Sequence, residues 1–139
     1  MRLQVNTTLA LYSVLEFAAD PGRHVPAAEI AAKFGVSAHH LAKVLAELAR
    51  AGIVESVRGV GGGYRFAGNA RRMTLMDVIQ LFEDFAPPDP HRLDADGGTT
   101  TQVNRALDAV LSEIDEVIKA TFSSITLATM LQLVAKQHP

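Results

Sequence analysis

Between Arg58 and Arg65, four of the six residues are glycine: Gly59, Gly61, Gly62 and Gly63. The run lies just downstream of an abrupt change in hydrophobic period. Before it, Leu41, Val44, Leu45 and Leu48 recur at i, i+3, i+4 and i+7, the stripe of an amphipathic helix. That helix is expected from Ala38 to about Arg50, with Gly52 stopping it. After it, Ile53 to Val57 and Tyr64 to Ala67 read as two strands, because the period shortens and β-favouring residues accumulate. A glycine-rich link between two short strands suits a hairpin that needs positive φ values. Few folds place an amphipathic helix directly before such a hairpin.

The preceding residues narrow the choice. Leu11, Val14, Leu15 and Ala18 predict a helix from about Thr7 to Ala19, closed by Asp20-Pro21-Gly22. A second, short helix begins with Pro26 at its first position and buries Ile30, Ala31 and Phe34. Gly35 follows where a left-handed residue is usual, and Ser37 is placed to cap the next helix. Helix, short helix, tight turn, helix, hairpin is the order of a winged helix-turn-helix. Farther on, Thr74 with Asp77 is a capping signal for a helix of about Leu75 to Phe85, with Val78, Ile79 and Phe82 inward. Ala86-Pro87-Pro88-Asp89-Pro90 breaks the chain, and His91 to Thr101 reads as a polar loop. A long helix is expected from about Thr101 to Phe122, then a short one from Leu127 to about Ala135 capped by Thr126. The expected fold is mainly α with a small β-wing. A winged helix-turn-helix domain (1–86) leads through a linker (87–101) to a dimerisation helix and short C-terminal helix (102–139).

Composition excludes several chemistries. The 139 residues contain no cysteine, which removes disulfides, thiolate catalysis and thiolate-held metal clusters. No basic stretch followed by an apolar run opens the chain, and no apolar stretch is long enough to span a bilayer, so a cytoplasmic protein without membrane contact is expected. Serine, histidine and acidic residues form no recognisable catalytic constellation, and Gly61-Gly62-Gly63 lacks the lysine and hydroxyl of a P-loop. An enzyme is not expected. The net charge is −2, unusual for a nucleic-acid binder. Acids nevertheless predominate after Pro87, which leaves room for a local basic face in the first part.

At about 100° per residue, His39, Ala42, Lys43, Ala46 and Arg50 fall opposite the apolar stripe of the third helix, with His40 and Glu47 on one flank. Small residues at Ala42 and Ala46 permit close approach to a major groove, which admits such a helix. His39, His40 and Lys43 are therefore candidates for base contact and Arg50 for phosphate. Arg58 enters the glycine-rich tip and Arg65 leaves it. Glycines let a backbone come close to phosphate, and arginine is favoured in a narrow minor groove. Each feature also has a plain structural explanation: solvated histidines, a loose turn, a three-helix core that never meets DNA.

The chain resembles the Rrf2 family of bacterial regulators through Gly35-Val36-Ser37, Leu41, Leu45, Leu48, Arg50-Ala51-Gly52-Ile53-Val54 and Val57-Arg58-Gly59-Val60-Gly61-Gly62-Gly63-Tyr64. Met1-Arg2-Leu3, Thr74-Leu75-Met76-Asp77-Val78 and Ile125-Thr126-Leu127-Ala128 extend the likeness over essentially the whole chain. The resemblance implies a homodimeric DNA-binding regulator, expected to be a repressor, on a palindromic operator in double-stranded DNA. It adds Arg2, Ser37, Gly59, Gly61, Gly62, Gly63 and Tyr64 to the DNA-binding candidates. It also implies dimerisation through the long helix. Val103, Leu107, Val110, Leu111, Ile114, Val117 and Ile118 independently form a face there too broad and apolar for a solvated helix. Many members hold an iron–sulfur cluster on three cysteines in the region that is His91 to Thr101 here. This region has no cysteine, and the acidic position that completes the cluster in some relatives falls at Thr8. No cluster is expected. His91, Asp94, Asp96 and His24 match no metal motif, so no metal site is expected either. Two alternatives stay open: control of DNA binding by a protein partner or small-molecule effector, and a winged helix used for protein interaction.

Overall fold

The computed structural model describes residues 1–59, 62–85 and 99–137. The loop residues His91, Asp94 and Asp96, for which no metal site is expected, the rest of 86–98, and Val60 and Gly61 of the hairpin tip lie outside the described residues. The order of elements is α1 (Val5–Ala19), α2 (Ala27–Phe34), α3 (Ala38–Arg50), β1 (Val54–Val57), β2 (Gly63–Phe66), α4 (Leu75–Ile79), α5 (Thr99–Ser123) and α6 (Leu127–Lys136). This is a mainly helical winged helix-turn-helix with a two-stranded antiparallel wing.

The core is built where the periodicity places it. Leu41, Val44, Leu45 and Leu48 of α3 are buried against Leu9, Val14 and Phe17 of α1 and Ile30 of α2. Complete burial of each such side chain contributes about 1.5–3 kcal/mol. Gly35 ends α2 at φ 66°, and its N–H together with that of Val36 donates to the Ala31 carbonyl. This left-handed cap is the tight turn that sets α3 across α2. Ser37 then caps α3, accepting from the His40 N–H at 3.1 Å. Pro26 sits at the N-cap of α2, one residue before the first helical position expected for it. Its backbone is extended because Val25, just before it, pairs with the wing.

The wing pairs Val54 with Phe66, Glu55 with Arg65, Ser56 with Tyr64 and Val57 with Gly63. Val54 and Phe66 are buried, whereas Glu55 and Arg65 face solvent. Val25 adds a third rung: its N–H donates to the Tyr64 carbonyl at 2.7 Å and its carbonyl accepts from the Tyr64 N–H at 2.9 Å. The hairpin is therefore anchored to the start of the helix-turn-helix.

α4 is shorter than its sequence pattern predicts. It stops at Ile79 rather than Phe85, and the chain tightens into i→i+3 bonds from Leu81 to Val78 and from Phe82 to Ile79. The tightening turns Leu81 and Phe82 toward the core and sends Glu83 to α1. The capping signal itself is present: the Thr74 N–H donates to the Asp77 carboxylate at 2.8 Å. α6 begins as expected, with the Thr126 hydroxyl accepting from the Thr129 N–H. Its first residue, Leu127, is fully buried in the same core as α1 and α3, and a bridge between Thr74 and Thr126 fixes its start. α5 differs. Val103, Leu107, Val110, Leu111, Ile114 and Val117 are all exposed, between 39 and 66 %, while Ile118 is partly buried.

Candidate nucleic-acid interface

Burying one face of α3 fixes what the other can do. With Leu41, Val44, Leu45 and Leu48 inward, His39, Ala42, Lys43, Ala46 and Arg50 are all exposed. The outward face thus carries two cations, two alanines that add little bulk, and a histidine near the N-terminal end. Lys43 meets no carboxylate among the described residues, whereas Arg50 is held by Glu47 three residues earlier on the same helix. An exposed pair of this kind is weak, about 0–1 kcal/mol, so a phosphate can displace Glu47 from Arg50.

His40 and Ser37 are placed differently. Ser37 is committed to the α3 cap. His40 is partly buried, and its Nε2 is enclosed without a hydrogen-bond partner among the described residues. It lines a groove of about 340 Å³ with Asn6, Lys43, Glu47, Arg50 and Phe82. His39 projects from the exposed face; His40 forms part of the groove wall beside it. The sequence marks Phe82 only as an inward residue of its own helix and does not mark Asn6, since neither has a spacing relationship to α3.

On the wing, Arg58 is exposed and has no carboxylate partner among the described residues. Gly59 takes φ 104°, and the Gly62 N–H donates to the Gly59 carbonyl at 2.9 Å across the tip. Arg65 instead pairs with Glu55, its direct cross-strand neighbour, at 2.8 Å. Gly63 and Tyr64 lie at the wing's root. A Cβ on Gly63 would come 2.6 Å from the Val25 carbonyl, so glycine is what lets the strand approach the chain before α2. The Tyr64 ring packs 6.3 Å from Phe17. Arg2 is exposed on the segment leading into α1. The structure thus places His39, Lys43 and Arg50 on the outward α3 face, Arg58 and Gly59 toward the exposed wing tip, and Gly63 and Tyr64 at the wing root, and leaves Arg2, Ser37 and His40 outside these groups. Gly61 falls outside the described residues.

The comparisons with known proteins agree with this architecture. The family described as "Rrf2: Iron-dependent Transcriptional regulator" matches residues 3–133. BadM of Rhodopseudomonas palustris, which bears the name of an HTH-type transcriptional regulator, is 48 % identical over 140 residues, covering 96 % of this chain and 83 % of BadM. Among solved structures, T. potens IscR superposes with a TM-score of 0.76 at 26 % identity, covering all of this chain and 92 % of that one. CymR of B. subtilis, titled the global cysteine regulator, superposes at 0.74 with 24 % identity over 96 % of this chain and 98 % of its own, a likeness of fold. From the family match and the close relative together, the chain belongs to the Rrf2 family of DNA-binding transcriptional regulators.

Proposed function

We propose that the protein acts in the cytoplasm as a homodimeric repressor that reads a palindromic operator. The outward face of α3 occupies the major groove and Arg58 at the wing tip reaches the minor groove. The observation that carries the reading is the division of α3 into a fully buried face and an exposed one bearing His39, Lys43 and Arg50. The exposed apolar face of α5 supports the dimer: six large aliphatic side chains in water on one helix call for a partner surface. A twofold pair would present two α3 helices to two half-sites.

The family description names iron, and the donor chemistry of this chain does not suit an iron–sulfur cluster. There is no cysteine to supply thiolate, and among the described residues no three histidine, aspartate or glutamate side chains gather to hold an ion. Regulation in this reading therefore does not pass through a cluster. A second reading, control by a small-molecule or protein effector, draws support from two apolar cavities of about 200 and 240 Å³. They flank the Tyr12–Phe34 aromatic pair.

The test is selection of fragments from the source genome by the purified protein in a chelating buffer, followed by footprinting. The expected result is enrichment of a palindrome whose half-sites lie about 10 base pairs apart or a multiple of it. Absence of enrichment, or dependence of enrichment on added iron, would overturn the reading.

A further inference from the structure

Three side chains within four residues, just after α4, reach three different helices. Phe82 lines the groove formed by His40, Lys43, Glu47 and Arg50 of α3. Glu83 reaches back 76 residues to α1: its carboxylate accepts from the buried Thr7 hydroxyl at 2.6 Å and stands 3.4 Å from the Gln4 N–H. The Phe85 ring lies 5.3 Å beneath the ammonium of Lys119 on α5. Asn6, in the first turn of α1, lines the same groove as Phe82.

The contact with α1 is chemically specific. Gln4, the N-cap of α1, makes no side-chain cap, and the first turn contains no acidic residue. A helix start of this kind leaves amide donors unsatisfied and carries partial positive charge. Glu83 supplies both the acceptor and the negative charge from a distant segment. It therefore fixes α1's first turn, and Asn6 with it, relative to Phe82 along the flank of α3.

We propose that Glu83 is a positioning residue for DNA binding. Its capping of α1 holds Asn6 and Phe82 against the flank of α3, and through Phe85 the same short segment ties that groove to α5. DNA affinity in this reading depends on a carboxylate whose own partners are Gln4 and Thr7 of the α1 start. The inference rests on α3 being the DNA-reading helix.

The sign of the effect separates this role from simple electrostatics. Glu83 is an anion near a surface that meets phosphates, so if only its charge mattered, Glu83→Gln would strengthen DNA binding. The positioning role predicts the opposite. With a fluorescent DNA fragment selected by the wild-type protein as probe, Glu83→Gln is expected to weaken binding about fivefold and Glu83→Ala about tenfold, in line with the loss of a helix cap. Thr7→Val is expected to match Glu83→Gln, and the double variant Thr7→Val/Glu83→Gln to bind no worse than Glu83→Gln alone, since both remove one contact. The dependence of affinity on salt should keep its wild-type slope, because no phosphate contact is lost. Hydrogen exchange at the Gln4 amide at the start of α1, the one backbone donor that faces Glu83, reports loss of the contact, and far-ultraviolet circular dichroism shows that each variant is folded. Unchanged or tighter DNA binding by Glu83→Gln with accelerated exchange at α1 would overturn the proposal, as would additive losses in the double variant. If Lys43→Ala leaves affinity and salt slope at wild-type values, the reading of α3 itself fails, and that result is distinct from any outcome at Glu83.

Discussion

α3 and α5 are both amphipathic helices with clean apolar stripes, yet they end in opposite circumstances. The stripe of α3 is covered by α1 and α2 of the same chain, with Leu41, Leu45 and Leu48 fully buried. The stripe of α5 is left in solvent, with Val103, Val110 and Val117 more than half exposed. Periodicity tells that a face must be covered but not by what. Where the partner lies within the chain, the helix closes a core and its other face is released for function. Where none of the described residues covers the stripe, it is free for the second subunit that the proposed dimer supplies.

The comparison can be broken most severely inside α3. Leu45→Ala is expected to cost about 2–5 kcal/mol of folding stability, measured by chemical denaturation; a loss below about 1 kcal/mol would mean that the stripe is not core. On α5, Ile114→Glu is expected to leave far-ultraviolet circular dichroism nearly unchanged but halve the mass in sedimentation. DNA affinity should then fall by about 100-fold as joint engagement of two half-sites is lost. A dimer that survives this change would show that the exposed stripe is not the subunit contact. At the wing root, Gly63→Ala places a methyl group against the Val25 backbone at a left-handed φ of 154°. It is expected to cost about 1–3 kcal/mol by thermal denaturation and to loosen the wing, read as faster exchange of the Val25 and Tyr64 amides. Ser37→Ala removes the α3 cap and should cost about 1 kcal/mol, the smallest of these effects.

Much of the fold was legible because its determinants are local. Gly35, Ser37, Thr74 with Asp77 and Thr126 act within one turn of their positions in sequence, and each is found in its capping place. The stripe of α3 likewise needs no knowledge of the rest of the chain to be read. What escaped is long-range. α4 ends early at Ile79, and the tightened turn after it brings Glu83 to Thr7, a contact that no periodicity encodes. Leu127 was legible as the start of a helix but not as a core residue beside α1, because α6 is distant from that core in sequence. The candidate interface was legible as a set of residue types, but their distant partners were not. Nothing local marks Arg65 as paired with Glu55 across the hairpin, or the His40 ring as part of a groove with Phe82, whereas the Glu47–Arg50 pair follows from i,i+3 spacing on one helix. In the proposed reading Lys43 and Arg58, exposed and without a carboxylate partner among the described residues, are the cations of α3 and the wing that meet DNA.

That conclusion is tested most directly by the salt dependence of DNA affinity for the wild-type protein and for the double variant Lys43→Ala/Arg58→Ala, both in chelating buffer. The account predicts that the wild-type protein binds with a steep negative dependence of log affinity on log salt. It predicts that the double variant, which removes two cations from each subunit of the dimer, loses about 3.6 from the magnitude of that slope together with most of its affinity. Equal slopes and equal affinities for the two proteins would contradict it.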